Sequence, residues 1–265
     1  MFADYHTHTS FSDDSEYSME DCLNHAVELG IEEICFTEHV DYGVENNTFK
    51  PHVCPVADYY KEYLRCKKNF DGKIKVKFGM EFGVQVGTVP DYKKLFDAYP
   101  FDFIILSCHQ VDNLEFWNQE FQRGRTQAEY NQKYYEEILK VMQIYDDWSI
   151  IGHLDSIKRY DLQGEYPFEK VRDIIAEILK LAIKKDKGIE INTSCYRYKL
   201  PDLTPSHDIL ELYRDLGGKI LTFGSDSHQE SHLGFKIKET KKELANIGFK
   251  YFYTFDRMKP IEHKL

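Results

Sequence analysis

The sequence predicts an α/β fold whose mostly parallel sheet closes into a barrel with helices on the outside. Three observations carry that prediction. Short β-rich runs alternate with longer helical patterns along the 265 residues, which implies parallel strands covered by helices. No Pro/Gly/Ser-rich linker interrupts the alternation, so residues 1–265 read as one domain. Six of the seven β-like runs lead into a His, Glu or Asp. A closed barrel brings the C-terminal ends of all its strands to one face. An open sheet could gather only the ends near its switch point.

The β-like runs are residues 2–6, 33–37, 75–82, 103–108, 149–153, 188–192 and 219–224, each short and apolar, β-branched or aromatic. Residues 249–255 form a further run, either an eighth strand or a closing segment. Between them, Met19, Leu23, Ala26 and Val27 share one helical face, opened by Ser18 with Asp21 three residues on and stopped by Gly30. Thr126 and Glu129 form a capping box before a long pattern through Ile138, Val141 and Met142. Pro167 opens a helix with Val171, Ile174, Ile178, Leu179 and Ala182 on one stripe, and Pro205 opens a shorter one ended by Gly217-Gly218. Residues 42–55 and 110–125 read as long loops, which in a compact domain are more often functional than idle.

Composition narrows the function. The formal net charge is -11, with no Lys/Arg block to offset it, so a nucleic-acid partner is not expected. No apolar run is long enough for a bilayer, and residues 1–4 lack the features of an export signal. Six unpaired-looking cysteines at 22, 35, 54, 66, 108 and 195 fit free thiols in the cytoplasm. Oligomeric state is not legible.

The chemistry lies at the strand ends. In an extended segment residues i and i+2 point to one side, so His6 and His8 can close on one cation, and Asp226 and His228 repeat that geometry after the seventh run. His39, Glu81, His109 and His153 stand at the C-terminal ends of the second to fifth runs. Six of the 11 histidines occupy these positions. A single such His is usually structural; their joint placement points to a divalent-metal centre of N and O ligands. His25, His52, His207, His232 and His263 read mostly as surface or helix residues, His232 being closest to the cluster.

Taken in order, His6-Thr7-His8 with Asp13, Thr37-Glu38-His39, Glu81 after Gly79, Ser107-Cys108-His109, Gly152-His153-Leu154-Asp155 and Gly224-Ser225-Asp226-Ser227-His228 resemble the PHP (polymerase and histidinol phosphatase) superfamily. Length and motif order are most similar to its monofunctional phosphatases. The resemblance implies a distorted (β/α)7 TIM-like barrel with three divalent ions, zinc, manganese or iron. It places His6, His8, Glu81 and Asp226 on one ion, Glu81, His109 and His153 on a second, and Asp13, His39 and His228 on a third. It implies hydrolysis of a small-molecule phosphomonoester, L-histidinol phosphate, by a hydroxide between two metals. Asp226 and His228 would serve the leaving group beside Glu81 as catalytic residues.

Arg159 and Arg197, in loops after strands, are expected to bind phosphate, since a guanidinium fork holds two oxygens. Asp161, Glu115, Phe116 and Trp117 are candidates for the ammonium and imidazole of the substrate. Glu38 and Asp155 are candidates for orienting imidazoles. Three other readings compete. A PHP-type enzyme could act on nucleotides or short oligonucleotides. An amidohydrolase barrel usually carries a Lys on its fourth strand, which residues 103–109 lack. A non-catalytic metal-binding module would not need this complete ligand set.

Overall fold

The computed structural model describes residues 1–43 and 53–265. His52 and most of the expected 42–55 loop lie outside the described residues. Seven parallel strands form the barrel: β1 (Ala3–Thr7), β2 (Glu33–Phe36), β3 (Lys75–Gly83), β4 (Phe103–Ser107), β5 (Ile150–Ile151), β6 (Gly188–Asn192) and β7 (Leu221–Gly224), each paired to the next in that order. Closure comes just past β7. His8 donates its backbone N–H to Ser227 O at 2.7 Å, and Asp226 donates to His6 O at 2.8 Å. The sheet is therefore the expected (β/α)7 barrel, distorted because its last seam is made by the turn after β7 rather than by a full strand pair.

Helices α1 (Met19–Leu29), α2 (Val56–Asn69), α3 (Val89–Ala98), α4 (Gln127–Ile144), α5 (Arg172–Lys184), α6 (His207–Asp215) and α7 (Ile237–Ile247) lie between the strands in the chain. Local chemistry sets their ends. Ser18 Oγ accepts from Asp21 N, and Gly30 closes α1 at φ 74°. The Thr126/Glu129 box caps α4 reciprocally. The α1 face differs by one residue from the expected stripe: Cys22 is buried and Val27 is exposed. Pro167 opens a 3₁₀ turn, Phe168–Lys170, and α5 begins only at Arg172.

The expected eighth run does not join the barrel. Strand β8 (Tyr251–Asp256) pairs antiparallel with β9 (Lys259–Lys264), and this hairpin packs on the barrel's N-terminal end. There Tyr5 OH donates to Phe255 O at 3.0 Å, Phe255 N donates back at 2.8 Å, and Phe103 packs between Tyr5 and Phe255. Each fully buried aromatic side chain here stabilises the fold by roughly 1.5–3 kcal/mol relative to exposure. With that end covered, the opposite mouth is where polar strand-end residues can meet solvent.

The 110–125 segment is more ordered than a loop. Gln110–Val111 and Leu114–Glu115 pair antiparallel, and Phe116 and Phe121 are buried. No described helix is long and apolar enough to cross a membrane.

Candidate metal centre

Glu81 is the hub. It sits two residues before the end of β3, rather than at the end, because His39–Val40 adds a short parallel pairing opposite Glu81–Phe82. One carboxylate oxygen, Oε2, lies 3.1 Å from His6 Nε2, 3.4 Å from His8 Nε2 and 3.0 Å from His39 Nδ1. The other, Oε1, lies 3.1 Å from His109 Nε2 and 2.9 Å from His153 Nε2, and accepts from Ser107 Oγ at 2.7 Å. Asp226 Oδ1 stands 3.7 Å from both His6 Nε2 and His8 Nε2. His39 and His228 face each other at 3.4 Å between their Nε2 atoms, and Asp14 Oδ2 is 3.0 Å from His228 Nε2.

Whether these residues suit a cation can be tested on their hydrogen bonds. Among the described residues His6 Nε2, His8 Nε2, His39 Nδ1 and Glu81 Oε2 are all buried without a hydrogen-bond partner, although the three nitrogens lie within contact distance of that oxygen. An unsatisfied buried polar atom costs about 1–3 kcal/mol, and four gathered around Glu81 call for partners that the side chains do not supply. The far nitrogens are tied down. His6 Nδ1 meets Glu190 Oε1 at 2.5 Å, His8 Nδ1 meets Ser12 Oγ at 3.1 Å, and His109 Nδ1 meets Asp41 at 2.9 Å. Such partners hold the ring and leave the inward nitrogen as a lone-pair donor. Five groups of three His/Asp/Glu residues here have donor atoms within 4.8 Å of one another. The donor set fits several divalent ions.

Electrostatics agree. Burial opposes charge on Glu81, yet His6, His109 and His39 hold its carboxyl well below the ordinary range. Burial likewise opposes charge on Asp226, which His6, His228 and Arg159 hold low. Burial and the neighbouring His39 and His228 push His8 well down, so it stays neutral and ready to ligate. His109 is pushed up to about 10, the pull of Asp41 and Glu81 outweighing its burial. A divalent ion competes with protons for these lone pairs, so its binding releases them.

The centre opens into a cavity of about 810 Å³ whose walls include Asp13, Glu115, Phe116, Trp117, Arg159 and Arg197. Arg159 donates from Nη2 to Ser194 Oγ at 2.6 Å, lies 3.5 Å from Asp226 Oδ2 and stacks on Tyr198 at 4.0 Å. Its Nε is buried without a partner. Arg197 donates to the carbonyls of Ser225 and Asp226 at 2.7 and 2.8 Å. It thereby braces Asp226 in the left-handed region, at φ 56°.

Two expectations need correction. Asp161 does not line this cavity; it accepts from Tyr130 OH at 2.6 Å and from Gln127 Nε2 at 3.1 Å, so its charge is used to tie α4 to the following loop. Among the described residues Asp155 orients no imidazole; it receives Lys158 Nζ at 2.7 Å and Ser206 N at 3.0 Å. Glu38 does reach a ligand candidate indirectly, accepting from Ser12 Oγ, which contacts His8. His232, the outlying histidine nearest the cluster in sequence, forms part of the cavity wall.

Asp14, Asp41 and Glu190 escaped the sequence reading. Asp41 follows His39 by two residues, the same i, i+2 spacing that drew attention to His6 and His8. Glu190 is a charge alternating with Ile189 and Ile191 in a fully buried strand, a pattern that needs a partner. Two glycines make room for these acids. A Cβ on Gly83 would sit 1.7 Å from Asp41 Oδ1, and one on Gly224 would sit 2.1 Å from Glu190 Oε1.

Comparison with known proteins places this geometry. The PHP domain model matches residues 4–194. A histidinol-phosphatase from Lactococcus lactis is 33% identical over 98% of this chain and 97% of its own. The crystal structure of histidinol phosphate phosphatase from that organism, complexed with zinc, L-histidinol and phosphate, superposes with a TM-score of 0.87 at 32% identity, covering 98% of both chains. A solved chain from Listeria monocytogenes, 20% identical, shares the fold at a TM-score of 0.77 over 89% of this chain and 99% of its own. With a barrel closed at Ser227, a Glu81-centred cluster at its mouth and a family match over most of the chain, this protein belongs to the PHP-domain family.

Proposed function

We propose that this chain is a metal-dependent phosphomonoesterase that hydrolyses L-histidinol phosphate to L-histidinol and phosphate. The observation that carries the reading is the convergence of orphaned donor atoms around Glu81 beside two guanidiniums in one cavity. The Lactococcus lactis relative, named for this reaction and crystallised with both products and zinc, supports the choice of substrate.

His6, His8, Glu81 and Asp226 would hold one divalent ion, Glu81, His109 and His153 a second, and His39 and His228 with Asp13 a third. Asp14 stands close enough to His228 to contribute. When bound, these ions neutralise the phosphate dianion and make water a competent nucleophile at neutral pH. Arg159 and Arg197 receive phosphate oxygens, Arg159 through its unpartnered Nε. Asp226 and His228 would relay a proton from water to the leaving alkoxide, the Asp226 carboxylate itself staying ionised. Glu115, Phe116 and Trp117 on the cavity wall receive the ammonium and imidazole. Residues 1–265 act as one domain in the cytoplasm.

Phosphate release from histidinol phosphate and from a panel of nucleoside monophosphates, with metal analysis of the same preparation, tests the reading. Turnover confined to histidinol phosphate is expected. Faster turnover of a nucleotide would transfer the assignment to the other substrate class, and a metal-replete but inactive chain would end it.

A further inference from the structure

We infer that Glu190 is a positioning residue that ties two of the proposed ion sites into one unit; the inference rests on the metal-centre reading above. Glu190 is 1% exposed and lies on β6, the one strand that ends without a ligand candidate. Its Oε1 meets His6 Nδ1 at 2.5 Å. Its Oε2 accepts the backbone N–H of His153 at 2.8 Å and Asn192 Nδ2 at 3.1 Å. Asn192 Nδ2 also lies 3.3 Å from Asp226 Oδ2. One side chain thus sets the ring of His6, the backbone of His153 and, through Asn192, the carboxylate of Asp226.

Each end of Glu190 faces N–H groups, and only a carboxylate offers an acceptor at both ends. Acceptance from His6 Nδ1–H fixes the tautomer whose Nε2 is a bare lone pair, the atom found buried without a partner beside Glu81. A Gln at 190 presents oxygen to one side only. With the oxygen toward His153 and Asn192, its NH₂ faces His6 Nδ1. That interaction places the imidazole proton on Nε2, where it blocks the donor. With the amide reversed, its NH₂ opposes the His153 N–H and loosens that segment. Gly224 is small for the same purpose, since a Cβ there would strike Glu190 Oε1 at 2.1 Å and His6 Cβ at 2.4 Å.

The test is chelator competition on the zinc-loaded full chain, wild type against Glu190→Gln, with thermal unfolding and long-range ¹H–¹⁵N spectra of His6. The expected result is about a 10- to 100-fold loss of zinc affinity, the magnitude typical of partners that orient ligating imidazoles. It should fall on two ions and spare the third, with the His6 proton moved from Nδ1 and activity recovering at high zinc. Wild-type affinity in a folded Glu190→Gln chain, or uniform loss of all ions, would overturn the inference. Should Glu190→Gln fail to fold, Gly224→Ala applies the same displacement without altering charge, and its ion losses must show the same selectivity. A wild-type chain that holds no zinc removes the metal-centre reading and this inference with it.

Discussion

Replacing Arg159 with Ala separates substrate binding from ion holding. Arg159 is pre-set by stacking on Tyr198 at 4.0 Å and by its bond to Ser194, and its Nε has no hydrogen-bond partner among the described residues. A hydrogen bond to a charged group is worth about 1.5–3 kcal/mol. At about 1.4 kcal/mol per tenfold change, losing one such bond to phosphate lowers kcat/KM by roughly 10- to 150-fold. The removed group also lies 3.5 Å from Asp226, so its loss leaves that carboxylate more negative and the ions no less firmly held. Arg197→Ala should lose the second phosphate contact and disturb an ion site as well. Its two bonds go to Ser225 O and Asp226 O, so its loss releases the turn that presents Asp226. Ion content and kcat should then fall together. Steady-state phosphate release across substrate concentration, with metal content measured on each variant, reads both effects. A kcat/KM for Arg159→Ala within about twofold of the parent would refute a phosphate role.

Glu81→Ala removes the group shared by five imidazoles, and activity should fall on the order of 10³-fold or more together with bound metal; a metal-replete, active variant would contradict the hub assignment. Gly83→Ala places a Cβ 1.7 Å from Asp41 Oδ1 and should cost about 1–3 kcal/mol of stability as a lowered Tm, with His109 losing its partner. Burial pushes Lys241 down to about 8 in the fold. The unfolded chain therefore binds the extra proton between pH 8 and the ordinary lysine range, and stability rises with pH across that window. Lys241→Met should raise Tm at pH 7, with the difference shrinking toward pH 10; an unchanged gap would exclude this titration. Calorimetric titration with inorganic phosphate should show binding to the cation-loaded chain and none after chelation.

Strand ends were legible because their signal is local. An apolar run followed by His or Glu states both an element and its polar mouth, which is why β1, β2, β3 and β4 lie within a residue of the expected runs. Helices α1, α4, α5 and α6 announced themselves through caps, prolines and aliphatic stripes. Helices α2, α3 and α7 carried weaker marks. The buried face of α2 is Val56, Tyr59, Tyr63 and Cys66, and tyrosine reads as polar or apolar until its hydroxyl finds a partner, here Phe36 O and Gly79 O for Tyr59. The supporting acids were harder still. Asp161 and Glu190 are both acids in apolar or loop surroundings. Only the three-dimensional packing shows that one is tied to Tyr130 and the other to His6.

The charge of the cavity explains why such a site would take a phosphate at all. Its walls carry six carboxylates, Asp13, Asp14, Asp41, Glu81, Glu115 and Asp226, against two guanidiniums. With every imidazole neutral, as ligation requires, the carboxylates and guanidiniums alone leave a formal excess of four negative charges, which would repel a phosphomonoester dianion. Three divalent ions reverse that excess to two positive charges, equal and opposite to the substrate. Ion binding therefore favours substrate binding, and the loss of one ion should weaken phosphate affinity as well as chemistry. The neutral imidazoles suit this role because they ligate without adding to the negative charge. Additional carboxylates in their place would hold the ions more tightly and leave less net positive charge for the dianion.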